Sequence, residues 1–312
     1  MIRISLIIAT YNRAEALIKA LESVVRQTLP AEQWECVVVN NNSTDQTSVQ
    51  FADFASRHPG LNLRMVHEAR QGLSHARNCG ITASHGEIIA IIDDDERINP
   101  EFLSAYVKLF DQHPEAMSAG GRVIATYEEC PRPRWMSRFT EEPIANPMDY
   151  GREVCEFPAG RIPAGGNMAF RREVFDRFGF FNPELGRVGD RLIGGEESDL
   201  FERLSRAGAK CYYVPDTVMW HLIPARKLTR TYFESLSYNI GVSQRRRAEL
   251  SDSVVRLRLC ELLKWGATLM IGLCWLLTLR PAKALWLLRL RRGISRGVFT
   301  IHDSRFTIEP RE

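Results

Sequence analysis

Ile2-Arg3-Ile4-Ser5-Leu6-Ile7-Ile8-Ala9-Thr10-Tyr11-Asn12-Arg13 decides the fold. The run from Ile2 to Ala9 is short, apolar and rich in isoleucine, the pattern of a strand covered on both faces in a parallel sheet. It ends abruptly in polar residues. From Arg13 to Arg26 the apolar residues Ala16, Leu17, Leu21, Val24 and Val25 recur at helical spacing. The alternation continues. Glu35 to Val39 reads as a second strand, and Ser43-Thr44-Asp45-Gln46 has the form of a capping box opening a helix through Ala55. Leu61 to His67 is a third strand, Ser74 to Ala83 a helix and Gly86 to Ile92 a fourth strand. Asn99-Pro100 reads as an N-cap and first helical residue for a helix ending near His113.

Strands alternating with helices predict a doubly wound, mostly parallel sheet flanked by helices. Ligands in such sheets bind beyond the carboxyl ends of the strands. Three polar clusters leave strands on that side: Thr10 to Arg13, Asn40-Asn41-Asn42 and Asp93-Asp94-Asp95. One rim should therefore carry all three.

Beyond the fourth strand the signals thin out. Residues 127–161 are rich in proline, aromatics and charge and read as an irregular excursion over the active face. A short helix is expected over Arg172 to Phe178, another over Ser198 to Ala207, and a strand over Lys210 to Val214.

The tail differs in kind. Arg245 to Arg296 holds twelve Lys and Arg against three acids, while the whole 312-residue chain carries only +3. The body is therefore mildly acidic and the tail basic. Trp265 to Leu279 is uncharged, Pro281 interrupts, and Ala284 to Leu288 is apolar again. Basic residues interleaved with Leu and Trp favour an anionic membrane surface over nucleic acid. A re-entrant or surface anchor, a hairpin packed on the body and a spanning pair all fit this pattern. The 15-residue run is short of the roughly 17–25 needed to span. The expected division is 1–244 for the catalytic domain and 245–312 for the membrane-associated region. Seven cysteines, an odd number without a CxxC, argue for reduced thiols. No signal peptide is expected, because Met1 to Ser5 runs straight into the first strand.

Chemistry concentrates at three places. Ile91-Ile92 delivers Asp93-Asp94-Asp95-Glu96, four consecutive carboxylates whose mutual repulsion a cation would relieve. Alternation puts Asp93 and Asp95 on one side, and hard oxygen donors suit Mn²⁺ or Mg²⁺. Gly194-Gly195-Glu196-Glu197-Ser198-Asp199 joins a glycine pair to an acidic helix start, which serves either as plain capping or as a general base on a mobile loop. His221 follows an apparent strand near Arg226, Lys227 and Arg230.

Taken in order, these motifs resemble those of the inverting family-two glycosyltransferases of the GT-A fold. The likeness runs over most of Ile2 to Gly241. It includes Val37 to Asp45, Gly72-Leu73-Ser74-His75-Ala76-Arg77-Asn78, Asp93-x-Asp95 and Gly166-Asn167-Met168-Ala169-Phe170. The resemblance implies an α/β GT-A domain, to which the tail's own pattern adds a helical hydrophobic appendage. It implies donor contacts at Thr10, Tyr11, Asn12, Arg13, Asn40, Asn42, Arg77, Asp93 and Asp94, with Gly166, Asn167 and Glu196 at the acceptor. Asp95, Asp93 and His221 would hold Mn²⁺ or Mg²⁺, and Glu197, with Asp199 as rival, would be the catalytic base. Two positions depart from the pattern: Asn40 stands where the family usually has Asp, and Glu197 stands where the base is commonly Asp. The QxxRW signature of processive synthases is absent.

The expected partners are a nucleotide-sugar donor, a UDP-sugar first among them, and a glycan or polyprenyl-linked acceptor. The expected location is the cytoplasmic face of the cell (inner) membrane, in surface polysaccharide or glycoconjugate assembly. Two rivals remain at this level: a metal-dependent nucleotidyltransferase, and a non-catalytic nucleotide-sugar-binding protein. The first lacks its glycine-rich phosphate loop here.

Overall fold

A computed structural model describes residues 1–189, 192 and 194–300. The last residues of the expected tail, 301–312, lie outside them. The chain forms two compact units. The first comprises Met1–Pro131, Ala145–Arg191 and Gly195–Ala225; the second comprises Arg132–Ile144, Leu192–Gly194 and the chain from Arg226 onward.

The first unit opens as expected: β1 (Ile4–Thr10), α1 (Ala14–Val24), β2 (Trp34–Asn40), α2 (Thr47–Ser56), β3 (Leu63–His67), α3 (Leu73–Ala83) and β4 (Ile88–Asp93). Every residue of β1 and β2 is buried. Side chains alternate between two cores, with Leu6, Ile8 and Val38 on one face and Ile7, Val37 and Val39 on the other. The four strands are parallel in the order β3-β2-β1-β4. Their register pairs Thr10 with Asn40 and Ala9 with Asp93, so the three polar clusters do share one rim.

The capping box at Ser43 does not form. Asp45 does the work instead, its Oδ1 accepting from the Thr47 backbone N–H at 3.0 Å and its Oδ2 from that of Ala14 at 3.2 Å. One aspartate thus serves the starts of two helices, and α2 begins after Gln46.

The sheet continues through elements less visible in the sequence: β5 (Glu96–Ile98), α4 (Phe102–Gln112), β6 (Ala116–Thr126), α5 (Arg138–Ala145), β7 (Cys155–Glu156), β8 (Met168–Arg171), α6 (Glu173–Phe178), α7 (Glu196–Arg206) and β9 (Lys210–Leu222). The excursion over 127–161 thus contains α5 and β7. Strand β8 enters antiparallel between β4 and β6, and β9 runs parallel to β6 with β5 at the far edge. The result is the mixed α/β sheet of the GT-A fold.

Asn99 does not cap α4, which starts at Phe102. Its amide instead donates to the Asp216 carbonyl and accepts from the Val218 N–H, both at 2.9 Å. That clasp holds the point where β9 skips from Val214 to Val218 against β6 and runs on past Pro215 to Leu222. The expected strand ending at Val214 is therefore only its first part.

Among its described residues the second unit is helical: most of α5, then α8 (Arg230–Leu250), α9 (Val254–Leu277) and α10 (Pro281–Phe299). Helices α8 and α10 pack backbone to backbone through Gly241, Gly293 and Gly297, where any side chain would strike the facing helix. Between α9 and α10, the fully buried Glu261 accepts from Arg291 Nη1 at 2.9 Å and from Ser295 Oγ at 2.7 Å. Helix α9 is longer than its uncharged core implied. Its 24 residues make it long and apolar enough to cross a membrane.

Candidate active site

The rim is built by the ends of β1, β2 and β4. Past Asp93 the chain turns through Asp94 and Asp95 into Glu96, which opens β5. One carboxylate oxygen from each of Asp93, Asp95 and Glu96 lies within 4.8 Å of the others. Glu96 is buried, and its Oε2 accepts from the Asp93 N–H at 2.8 Å. Burial, then repulsion from Asp93 and Asp95, pushes the Glu96 carboxyl well above its ordinary value. Three oxygens crowded in this way could serve as hard donors to a divalent cation. Glu96 was in view as the fourth acid of the run, but its part in the cluster depends on the turn.

Asp94 points elsewhere. It is buried and accepts from Thr10 Oγ1 at 2.8 Å and from Arg13 Nη1 at 2.6 Å. Burial raises it to about 6, with Asp95 adding to the rise and Arg13 opposing it. Arg13 Nη1 also reaches Asp95 Oδ2 at 3.2 Å, so the opening motif and the acidic turn are tied together.

The other rim residues divide by exposure. Tyr11, Asn12 and Asn42 are exposed, and the two asparagines adopt left-handed backbone conformations with φ of 51° and 63°. Asn40 is buried, and both ends of its amide are used within the turn. Its Nδ2 donates to Ser48 Oγ and its Oδ1 accepts from the Ser43 N–H, each at 2.8 Å.

Arg77, expected near donor phosphates, is fully buried on α3. Its Nη2 reaches Asp93 Oδ1 at 3.0 Å, and its Nη1 reaches Glu196 Oε1 at 3.1 Å and Glu197 Oε1 at 2.8 Å. The guanidinium therefore joins the acidic cluster to the head of α7. A planar fork with five donors can hold three carboxylates, which an ammonium cannot do in the same geometry. Nothing in the Gly72 to Asn78 run foretells this, because Glu196 and Glu197 lie over a hundred positions away.

Helix α7 starts at Glu196, two residues before the expected Ser198, after Gly195 in a left-handed conformation with φ 109°. Burial and the neighbouring Glu197 push the Glu196 carboxyl up to about 8 against the pull of Arg77. Its Oε2 has no hydrogen-bond partner among the described residues. Burial also opposes ionisation of Glu197, but Arg77 outweighs it and holds that carboxyl below its ordinary value. The pair is thus pushed apart, Glu196 toward its protonated form and Glu197 toward its carboxylate. Asp199 faces another way, paired with Arg203 at 2.8 Å.

Two glycines make room for this arrangement. A Cβ on Gly165 would overlap the Glu197 carboxylate, and one on Gly166 would overlap that of Glu96. Asn167 is fully buried and stitches the sheet. It accepts from Tyr106 Oη at 2.5 Å and donates to the carbonyls of Arg122 and Thr217, each at 3.0 Å. His221 stands opposite Glu96 in the β5–β9 pair, with Nδ1 3.0 Å from the Ala145 carbonyl.

The parallel rim, the acidic turn and the carboxylates at the head of α7 thus lie together. Residues 5–179 match the model of glycosyl transferase family 2, and the chain belongs to that family. The matched stretch carries the rim and the acidic turn, while α7 and β9 lie beyond it. The chain is 27% identical over 225 residues to the glucosyl-dolichyl phosphate glucuronosyltransferase of Haloferax volcanii, covering 68% of this chain and 66% of that protein. It is 34% identical over 223 residues to glycosyltransferase AglE of the same organism, covering 72% and 67%. It thus spans about two thirds of the length of each. Among solved structures it resembles the mannosyltransferase PcManGT from Pyrobaculum calidifontis, solved with GDP-Man and Mn²⁺. The TM-score is 0.59 at 19% identity, over 94% of this chain and 86% of that one, a likeness of fold.

Proposed function

We propose that this protein is an inverting, non-processive, metal-dependent glycosyltransferase moving a hexosyl or glycuronosyl group from a nucleotide sugar to a hydroxyl. The single observation that carries the reading is Arg77, which fastens Asp93 of the acidic turn to Glu197 at the head of α7. One buried cation thereby holds a donor-side carboxylate and a candidate base in one frame.

Asp93, Asp95 and Glu96, with His221 opposite, would hold Mn²⁺ or Mg²⁺. Bound there, such an ion would neutralise the diphosphate as it leaves. Tyr11, Asn12 and Asn42, exposed on the rim, contact the nucleoside, with UDP the expected base carrier. Thr10, Arg13 and Asp94 form the floor beneath it. Glu197, kept ionised by Arg77, takes the proton of the acceptor hydroxyl. The acceptor oxygen bonds to the anomeric carbon as the bond from that carbon to the phosphate oxygen breaks. The electron pair leaves with the nucleoside diphosphate, and one displacement inverts the centre. Gly166, Asn167 and Glu196 shape the acceptor side.

Residues 1–244 carry the transfer and 245–312 the membrane contact. Helix α9 shows Leu262, Leu263, Leu269, Met270, Leu273 and Leu276 outward, and basic residues follow along α10. This amphiphilic pattern supports attachment at the cytoplasmic face of the cell membrane. A glycan on a polyprenyl carrier fits that setting, and the dolichyl-linked substrate named for the Haloferax relative supports it.

The test is Glu197→Gln. Transfer should fall by about 10²–10⁴-fold while the affinity for the nucleotide sugar, measured by calorimetry with Mn²⁺, stays within error. Loss of donor affinity in parallel with activity would remove Glu197 from the base role.

A further inference from the structure

The second unit contains a cavity of about 500 Å³ that the transfer reaction does not use. Its walls come from the start of α5, the end of α9 and the start of α10. They are of two kinds: Met136, Phe139, Ile271 and Trp275 are apolar, and Arg138 and Lys283 are cationic.

The cations are what give the cavity its meaning. Arg132 also borders it, but Glu141 neutralises that side chain through a forked pair at 2.7 and 2.6 Å. Arg138 instead rests on the Phe139 ring, 4.6 Å from its centroid. Among the described residues neither Arg138 nor Lys283 meets a carboxylate. Two cations without a protein counter-ion beside an aromatic floor are free to accept an anion.

The floor specifies the rest of the ligand. Phe139 and Trp275 lie 6.0 Å apart between centroids and form a tilted aromatic wall. Ile271, one turn before Trp275, extends this wall along α9, a helix long and apolar enough to cross a membrane. A small free anion would use the cations and leave this ground empty. A hydrocarbon chain leaving the cavity would lie along it. The volume falls within the roughly 300–1,000 Å³ range of small-ligand sites, enough for a headgroup and the first few carbons.

We propose that this cavity is a binding site for a lipid phosphate: the phosphate sits between Arg138 and Lys283, and the chain leaves over Trp275 onto α9. The inference concerns binding alone. It stands or falls separately from the transfer reaction, because its readout requires no donor.

The full-length protein in neutral detergent is titrated with a short-chain phosphatidic acid and followed by tryptophan fluorescence and native mass spectrometry. Parallel titrations use the matching diacylglycerol, which lacks the phosphate, and inorganic phosphate, which lacks the chain. The lipid phosphate should bind at least about tenfold more tightly than either. The double variant Arg138→Gln/Lys283→Gln should lose about tenfold or more of that affinity. Arg280→Gln, an exposed cation outside the cavity, should lose none. Both altered cations are near the surface, so an unchanged melting temperature separates lost binding from lost structure. If the double variant does unfold, Trp275→Ala replaces it and should weaken the lipid while leaving inorganic phosphate unaffected. Equal binding of the diacylglycerol or of inorganic phosphate overturns the proposal, and so does a double variant that binds like the parent.

Discussion

Arg77 Nη1 lies 2.8 Å from Glu197 Oε1, while the other arm of the same guanidinium lies 3.0 Å from Asp93 Oδ1. The two carboxylates come from the end of β4 and the head of α7, and a fully buried side chain joins them. Removing one partner of a buried ion pair leaves uncompensated charge, and here three acids share one cation.

Arg77→Met should therefore cost about 3–5 kcal/mol of stability. Arg77→Lys should fold better but lose the fork that positions Glu197, lowering kcat more than it raises the donor KM. Thermal melts and steady-state kinetics on both variants check this. A stable Arg77→Met protein with parental kcat would show that the frame is dispensable.

Asp199 and Glu197 separate cleanly by substitution. Asp199→Asn breaks a partly exposed pair with Arg203, worth about 0.3–0.5 kcal/mol, and should leave turnover within a few-fold. A collapse of kcat in Asp199→Asn with Glu197→Gln still active would transfer the base role to Asp199.

The split of the two glutamates sets a pH dependence. Glu196 keeps its proton in the fold up to about 8, whereas the unfolded chain releases it near the ordinary 4.5. The native state binds the extra proton between those values, so stability contributed by this group falls as pH rises from about 4.5 to about 8. Glu196→Gln mimics the protonated form. It should flatten that part of the stability curve and shift or remove an alkaline fall in kcat near 8. An identical stability profile in the variant would rule out Glu196 as its source.

The glycine pair can be tested through the metal. Gly166→Ala would push the Glu96 carboxylate out of the cluster, and Mn²⁺ affinity should drop by about 10–100-fold. Gly165→Ala presses on Glu197 instead, so it should lower kcat with Mn²⁺ binding retained. Mn²⁺ titration by electron paramagnetic resonance reads the difference, and chelation should abolish transfer in the parent. Equal Mn²⁺ affinity in Gly166→Ala and the parent would exclude Glu96 from the donor set.

Asn167 offers a choice between a stitch and an acceptor contact. Asn167→Ala removes three hydrogen bonds inside the sheet and should cost about 3 kcal/mol. If the acceptor KM stays unchanged in the surviving folded protein, the amide serves the sheet. A raised acceptor KM with an unchanged melting temperature would reverse that assignment.

Much of the parallel half was legible because its signals are local. Ile4 to Thr10 and Trp34 to Asn40 are buried on both faces, and continuous β-branched runs report that directly. Strand β6 was not legible. Its Gly120-Gly121 pair carries no strand signal, yet Pro163 and Thr217 from remote segments press where a Cβ at each would sit. The second half of β9 was hidden behind Pro215, since the Asn99 clasp that lets the strand resume comes from a remote helix start. The full length of α9 was masked by charges at Arg256, Arg258, Glu261 and Lys264, of which Glu261 is neutralised only by α10.

By itself, the sequence determined where the first parallel strands end and which acids leave them, because both follow from near-neighbour patterning along one backbone. Only the tertiary structure decided what those acids face. Asp94 turned to Arg13 and Thr10, Glu96 turned into the cluster, and Arg77 joined Asp93 of the rim to Glu197. Each choice depends on burial and on charges brought in from distant segments. Electrostatic energy in a low-dielectric interior is set by distance through space, and sequence spacing does not encode that distance.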